Sequence, residues 1–252
     1  MKYIRVKKGQ DVFWAVLSGD KVNVLKNAPY FGINYSGQVL SLSEVTLLAP
    51  CEPSKIVAVG QNYRDHVLEL GHEIPDHPII FIKPPTAVND PEGKIMLPDT
   101  SKRVDYEGEL AFVIKKDAYR VKRESAFDFV FAYTCLNDVT ARDLQSLDGQ
   151  WSRAKSFDSF SPIGPCLVDG LDPLNLKVET RLNGELKQSS RTGEFIFDIP
   201  CLIEFITDCM TLKAGDVVTT GTPMGVGPMK SGDVVEVEIE GIGVLKNHAV
   251  ER

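Results

Sequence analysis

Short apolar runs separated by turn-forming residues extend along the whole chain, and this pattern predicts strands more often than helices. Side chains alternate between the two faces of a strand, so the alternation in Val234–Ile239 predicts a strand with one buried face. Two further runs flank Asn183-Gly184, a pair that is typical of a tight hairpin turn. Helical periodicity is confined to short segments, chiefly Val139–Leu147 and Ile199–Met210. Because no regular strand–helix–strand alternation is present, we expect a β-rich α+β fold with few short helices.

The first fifty residues form a section of their own in this pattern. Three short strands with intervening turns are predicted there: Tyr3–Val6, Val12–Leu17 and Val22–Leu25. A linker with two prolines, Ala49–Pro53, follows, and the continuous apolar strand Ile56–Gly60 then begins a different pattern. We therefore expect a small β-rich N-terminal domain at residues 1–52 and a larger domain at residues 53–252.

Composition and charge limit the classes of function. Of the 252 residues, 43% are apolar and 25% are charged, which is ordinary for a globular protein with an extensive core. The net charge of -7, without a block of Lys or Arg, argues against a nucleic-acid partner. No apolar run is long enough to span a bilayer, and the start of the chain lacks the apolar core of a signal peptide. The 5 scattered cysteines fit reduced thiols, so we expect a cytoplasmic protein without membrane contacts.

Three acidic residues suggest a metal site. Glu107 and Glu109 lie two apart in Val104–Ile114, which is predicted to be one strand, so both side chains should point to the same face. Asp138 follows the apolar run Phe127–Leu136, which would be a neighbouring strand. Adjacent carboxylates repel each other and are costly to desolvate unless a cation compensates, and hard divalent ions prefer oxygen ligands. Taken alone, the Glu-x-Glu spacing is also compatible with a solvated strand face.

A histidine and a glutamate form a second candidate constellation. His66 and Glu69 lie three apart in a predicted helical turn, so they share a face. A carboxylate that orients an imidazole is a common arrangement for a general base. The spacings from His66 to His72 and His77 fit no zinc pattern, so we interpret these two histidines as loop residues.

Polar side chains elsewhere could complete a binding site. Arg142 and Gln145 follow Asp138 by four and seven residues, so a helix that begins near Asp138 would place all three on one face. Lys83 and Lys155 are further candidate cations, although an isolated lysine is more often solvated.

Six segments, taken together in their order and spacing, resemble the fumarylacetoacetate hydrolase superfamily from about residue 53 to residue 250. These segments are Val59–His66, Phe81–Pro84, Tyr106–Leu110, Asn137–Gln145, Ala154–Phe157 and Thr220–Pro223. The chain is most similar to the prokaryotic branch of acylpyruvate hydrolases and 2-hydroxyhepta-2,4-diene-1,7-dioate isomerases. Its first fifty residues resemble the small domain that precedes the catalytic region in many prokaryotic members. Gln61 departs from the family, because many relatives have Arg or Lys there; if that cation meets a substrate carboxylate in those relatives, the substrate here would be differently charged.

The resemblance implies a fold, a cofactor and a set of roles. The fold would be a β-roll of mixed sheets, and we expect a homodimer. Glu107, Glu109 and Asp138 would bind Mg²⁺ or Mn²⁺, and His66 and Glu69 would form the catalytic dyad on a lid that orders over the substrate. The residues expected to contact the substrate are Lys155, Arg142, Gln145, Thr222 and Lys83.

The expected substrate is a small 2-oxo carboxylate that the metal chelates. A reaction next to its ketone would leave an enolate, whose charge the metal and Lys155 would stabilise. Hydrolysis of a C–C bond in an acylpyruvate is the first expectation, with the His66–Glu69 pair activating water. Decarboxylation or isomerisation of a 2-oxo-heptenedioate, as in aromatic catabolism, ranks nearly level with it, and oxaloacetate decarboxylation ranks third. A non-catalytic protein that binds a metal or an organic acid is the alternative from another class.

Overall fold

Strands dominate the fold. This computed structural model describes residues 1–69 and 71–252. In chain order the strands are β1 (Lys2–Lys8), β2 (Asp11–Ser18), β3 (Lys21–Leu25), β4 (Tyr35–Ser41), β5 (Thr46–Leu48), β6 (Ile56–Gly60), β7 (Ile79–Lys83), β8 (Val88–Asn89), β9 (Lys94–Leu97), β10 (Val104–Tyr106), β11 (Gly108–Ile114), β12 (Val130–Asn137), β13 (Thr140–Ala141), β14 (Ser161–Val168), β15 (Lys177–Leu182), β16 (Glu185–Arg191), β17 (Val217–Thr219), β18 (Gly227–Met229), β19 (Val234–Ile239) and β20 (Gly243–Glu251). The described α-helices are α1 (Arg64–Glu69), α2 (Arg142–Asp148), α3 (Ser152–Lys155) and α4 (Ile199–Cys209). Short 3₁₀ segments lie at Pro29–Phe31, Leu42–Glu44, Pro85–Ala87, Arg123–Phe129 and Thr192–Glu194. Among these described helices, none has the length and apolar character that crossing a membrane requires.

The strands form three sheets. The largest has the order β4-β3-β2-β1-β14-β12-β11-β17-β6-β7, with β5 beside β1 and β8 beside β14. A second sheet has the order β16-β15-β19-β20-β9, and a third has the order β13-β10-β18. Most neighbours are antiparallel, but β14 and β8, β17 and β6, and β20 and β9 run parallel. The mixed sheets and few short helices confirm the predicted fold class, and the β15–β16 hairpin and α4 agree with the predicted elements.

The first fifty residues contribute strands to the largest sheet. The three strands predicted there are present as β1, β2 and β3. The strand β1 pairs with β14, with Lys2 opposite Val168 and Tyr3 opposite Leu167. This section therefore shares a sheet with the rest of the chain, and a domain division at residue 52 stays a prediction.

The strand β11 lies at the centre of the core and is buried on both faces. Phe112 belongs to the same buried cluster as Val237 of β19 and Ile203 of α4, so one face packs against the second sheet and a helix. Ala111 and Val113 point to the opposite face and belong to a separate cluster. Burial on both faces explains the continuous apolar sequence of this strand and gives a rigid support to the residues at its beginning.

One predicted strand is divided into two. Val104–Ile114 does not form a single strand, because β10 ends at Tyr106 in the small sheet and β11 begins at Gly108 in the largest sheet. Glu107 lies where the chain passes from one sheet to the other. Its backbone N–H donates to the side-chain oxygen of Asn137 at 2.9 Å, and not to a backbone carbonyl of a neighbouring strand.

One predicted helix begins later than expected. The helix expected over Val139–Leu147 starts only at Arg142, because Thr140 and Ala141 form β13 and pair with β10. Asp138 therefore lies in the connection after β12, and the expectation that it shares a helical face with Arg142 is wrong.

Candidate active site

Three buried carboxylates meet at the beginning of β11. Glu107, Glu109 and Asp138 each offer a ligand atom, and these atoms all lie within 4.8 Å of one another. The register of β11 and β12 brings them together, because Gly108 lies opposite Asn137 and the Asp138 N–H donates to the Glu107 carbonyl at 2.8 Å. The set consists of oxygen ligands only, which hard divalent ions prefer. The residues present therefore fit Mg²⁺ or Mn²⁺.

The glycine between the two glutamates allows a close approach of two sheets. A Cβ atom at Gly108 would lie 2.1 Å from Oγ1 of Thr180 on β15. The Gly108 N–H donates to Oε1 of the buried Gln188 at 3.0 Å, and Gln188 Nε2 donates to Thr222 Oγ1 at 2.8 Å. Gln188 thus fixes the orientation of Thr222, which was predicted to contact the substrate. Sequence reasoning missed Gln188, because its strand is distant along the chain.

The three carboxylates differ in how their charge is compensated. Burial raises the pKa of Glu109 well above its usual range, and the charges of Asp138 and Glu107 raise it further. The backbone N–H of Gly221 donates to Glu109 Oε2 at 2.9 Å. Burial also acts against ionisation of Glu107, but Lys155 and Arg142 outweigh it and hold the pKa of Glu107 far below its usual range. Glu109 is consequently the carboxylate that most needs a bound cation or a proton.

Two buried lysines flank the carboxylates. Lys155 Nζ donates to Glu107 Oε2 and to Asp138 Oδ2, both at 2.7 Å. Burial lowers the pKa of Lys155, but the two carboxylates raise it more, so this lysine stays charged. Lys83 Nζ donates to Asp138 Oδ1 and, at 2.8 Å, to the Phe160 carbonyl. Lys83 was predicted to contact the substrate, but its side chain is fully buried and supports Asp138 instead.

Arg142 is oriented by a buried carboxylate that the sequence analysis did not single out. Asp105 accepts from Arg142 Nε at 2.9 Å and also pairs with Arg103 at 2.9 and 3.1 Å. Arg142 donates in addition to Glu107 and, at 2.7 Å, to Gln145 Oε1. A guanidinium group has five N–H donors, so two remain for a ligand. Asp105 and Glu107 lie two residues apart, a spacing that places strand side chains on the same face. This was the sequence signal that could have placed Asp105 beside Arg142.

The predicted histidine–glutamate pair is formed on α1. His66 Nδ1 lies 3.1 Å from Glu69 Oε2, and both oxygens of Glu69 lie 3.2 Å from the Gly225 N–H. A carboxylate partner at Nδ1 places the ring proton there, so Nε2 is free to accept a proton. His66 is only 4% exposed and lines the same cavity as the carboxylate cluster.

A cavity of about 310 Å³ connects the two groups. The predicted residues on its wall are His66, Glu107, Glu109, Asp138, Arg142, Gln145, Lys155 and Thr222. Its wall also includes Gln61, which the sequence marked as a departure from the family, and it includes His72 and Trp151, which sequence reasoning did not place in a site. His72 lies in a loop, as predicted, but the sequence did not indicate that its side chain lines the cavity. These residues come from loops, where no periodic pattern marks the face that a side chain occupies.

Comparisons with known proteins agree with this site. Residues 55–250 match the family described as fumarylacetoacetate (FAA) hydrolase, C-terminal, and residues 1–50 match one described as Rv2993c-like, N-terminal. An Archaeoglobus fulgidus protein is 54% identical over 217 residues, covering 86% of this chain and 87% of the relative. The oxaloacetate tautomerase YisK of Bacillus subtilis is 48% identical over 223 residues, covering 82% of this chain and 74% of the relative. The solved structure of 5-carboxymethyl-2-hydroxymuconate delta-isomerase from Mycobacterium smegmatis has a TM-score of 0.95 at 41% identity, with 100% of both chains covered.

The chain belongs to the fumarylacetoacetate hydrolase family, which confirms the resemblance drawn from its motifs. Members of this family are enzymes and commonly use divalent metals. The metal itself, the homodimer and the roles of individual side chains stay predictions.

Proposed function

We propose that this protein is a Mg²⁺- or Mn²⁺-dependent enzyme that moves a proton at the carbon next to the ketone of a small 2-oxo carboxylate. The reaction would be a keto–enol tautomerisation or a related isomerisation. The observation that carries this proposal is the position of the His66–Glu69 pair, which shares one cavity with a cluster of three carboxylates. The relatives that are named as an oxaloacetate tautomerase and a muconate isomerase support the same reaction class.

Glu107, Glu109 and Asp138 would hold the ion. A divalent ion bound there would act as a Lewis acid that polarises the ketone and orients the neighbouring carboxylate. Arg142 would bind the carboxylate through its two remaining N–H groups. Lys155 stays charged and would place a positive charge beside the negative charge that develops as the proton leaves.

His66 would act as the general base. Its Nε2 would take the proton from the carbon, and the electron pair of the C–H bond would form the new carbon–carbon double bond. The π electrons of the C=O bond would move to the ketone oxygen, and the protonated His66 would return its proton to that oxygen, so the tautomerisation balances and the base is regenerated. Glu69 would hold the required tautomer of the ring and stabilise its charged form, while the Gly225 N–H keeps Glu69 in place.

The same pair would also suit acylpyruvate-type hydrolysis, the first expectation from the sequence. In that case His66 would deprotonate a water molecule, and the cavity would exclude the remaining solvent.

A panel of oxaloacetate, an acylpyruvate and a 2-oxo-heptenedioate, assayed with Mg²⁺ and Mn²⁺ and with EDTA as the control, separates the reactions. Interconversion of keto and enol forms without C–C cleavage supports the proposal, whereas faster cleavage of the acylpyruvate supports hydrolysis. Metal binding without turnover of any compound would favour a binding protein.

Replacement of the base tests its role directly. His66→Asn should lower kcat by about 10²–10⁴-fold and leave metal affinity within about twofold, because the ring is not among the metal ligands. His248→Asn is a matched control, since His248 pairs with Glu92 at 2.9 Å on the surface away from the cavity. Full activity of the His66 variant would exclude the proposed base.

A further inference from the structure

The ends of the segment that carries the His66–Glu69 pair meet at the cavity. Gln61 lies directly before this segment, and His72 lies after α1. Gln61 Nε2 and His72 Nδ1 are 2.9 Å apart, and both side chains line the cavity. This contact between Gln61 and His72, which we call the Gln61–His72 pair, plays no part in the mechanism described above.

The backbone of Gln61 is in an unfavourable conformation. Its φ angle is 54°, in the left-handed region that residues other than glycine adopt infrequently. Such outliers persist where the surrounding structure holds them, and they are common at ligand-binding positions. In this conformation the side chain of Gln61 lines the cavity and contacts His72.

The Gln61–His72 pair presents two uncharged donors. An amide nitrogen carries two hydrogens, so Gln61 Nε2 has one left after it donates to His72 Nδ1. Because Nδ1 of His72 accepts that bond, the ring proton lies on Nε2. One N–H from each residue is therefore available to an oxygen-bearing group in the cavity.

The charge of the cavity indicates which part of a substrate each region would bind. On the cavity wall, a divalent ion, Lys155 and Arg142 would together exceed the negative charge of the three carboxylates by one positive charge. This charge suits the carboxylate next to the ketone. The other described residues on the cavity wall provide no further lysine or arginine. A second carboxylate would therefore meet neutral donors, and two neighbouring N–H groups match its two oxygens.

We propose that Gln61 and His72 bind the distal carboxylate of a dicarboxylic 2-oxo acid and so determine substrate specificity, which means that the substrate keeps this charge although Gln61 replaces the cation of many relatives. This inference rests on the proposed function, because the head of the substrate must lie at the metal cluster. The alternative is that the pair only holds α1 in position. A positioning role would affect every ligand and every substrate alike, whereas a recognition role depends on the distal group.

Binding of two unreactive ligands separates these roles. Oxalate reproduces only the head of a 2-oxo acid, whereas malate adds a distal carboxylate. The variants are Gln61→Asn, which tolerates the left-handed conformation but is one methylene shorter, and His72→Ala. Each should weaken malate binding to the Mg²⁺-loaded protein about tenfold in calorimetry, the effect of one lost hydrogen bond to a charged group. Oxalate binding should stay within about twofold of the original protein.

The control is His77→Ala, whose ring is exposed, stacks on Phe205 and does not line the cavity. Equal weakening of both ligands, or no change for either, would overturn the proposed specificity while leaving the 2-oxo acid site intact. If the original protein with Mg²⁺ binds neither ligand, the proposed function itself fails, and the role of the pair fails with it. His72→Ala carries the test if Gln61→Asn does not fold, because the His72 side chain is exposed.

Discussion

Glutamine in place of Glu109 should stabilise the metal-free protein and remove its response to metal. Glu109 is 1% exposed, and the pKa of its carboxyl is raised well above the usual range by burial and by the charges of Asp138 and Glu107. The folded protein therefore retains a proton that the unfolded chain releases at neutral pH. Its stability falls as the pH rises from the ordinary carboxyl pKa of 4.5 toward the raised value in the folded state.

The size of the effect has an upper bound. Keeping a proton at pH 7 on a carboxyl with an ordinary pKa of 4.5 costs at most about 3 kcal/mol, since one pKa unit corresponds to about 1.4 kcal/mol. Glu109→Gln removes this cost and conserves the shape of the side chain. We expect a gain of about 1–3 kcal/mol in the free energy of unfolding without metal, and this corresponds to a rise in melting temperature of roughly 2–12 °C.

Thermal unfolding with EDTA and with saturating Mg²⁺ measures both parts of this prediction. At a metal concentration of about 100 Kd, the original protein should gain about 2.7 kcal/mol, and Glu109→Gln should gain almost nothing. Glu179→Gln is a control of opposite sign, because Lys177 and Arg181 lower the pKa of Glu179 and the variant should lose stability. A Glu109→Gln protein that melts below the original protein in EDTA would refute the reasoning, as would an unchanged response to Mg²⁺.

Three further predictions follow from the same contacts. Mg²⁺ affinity should fall as the pH is lowered, because binding must expel the proton of Glu109; calorimetry in buffers of different ionisation enthalpy should detect proton release, and a pH-independent affinity would contradict this. Asp105→Asn should raise KM about tenfold through loss of the charged partner of Arg142, while Mg²⁺ affinity stays within about twofold; a fall in kcat alone would argue against this role. Gly60→Ala should cost about 1–3 kcal/mol in urea unfolding, because a Cβ there would lie 2.4 Å from the Trp151 ring; unchanged stability would show that the ring moves freely.

The pairs of residues that are close along the chain were predictable from sequence. His66 and Glu69 meet because residues three apart share a helical face, and α1 forms where the pattern indicated it. Glu107 and Glu109 point to one site because strand side chains alternate, even though the strand is divided at Glu107. The strand-rich pattern likewise predicted the fold class.

Contacts between distant segments were accessible only through motif resemblance or through the structure. The sequence spacing suggested that Asp138 joins Arg142 on a helix, whereas the pairing of β13 with β10 delays that helix. Lys83 was predicted to contact the substrate, but in the structure it is buried and donates a hydrogen bond to Asp138. His72 has no distinguishing pattern in its loop, and only the structure places it on the cavity wall in contact with Gln61.

The sequence by itself determined the class of fold, the shared direction of Glu107 and Glu109 and the histidine–glutamate pair, because each depends on the period of a strand or a helix. The tertiary structure decided which charges are compensated, which lysine reaches the cavity and which loop residues complete its wall. Those properties depend on how three sheets pack and on how far each side chain is removed from water. Burial and long-range pairing set the charge balance at Glu109, and no local pattern of residues encodes them.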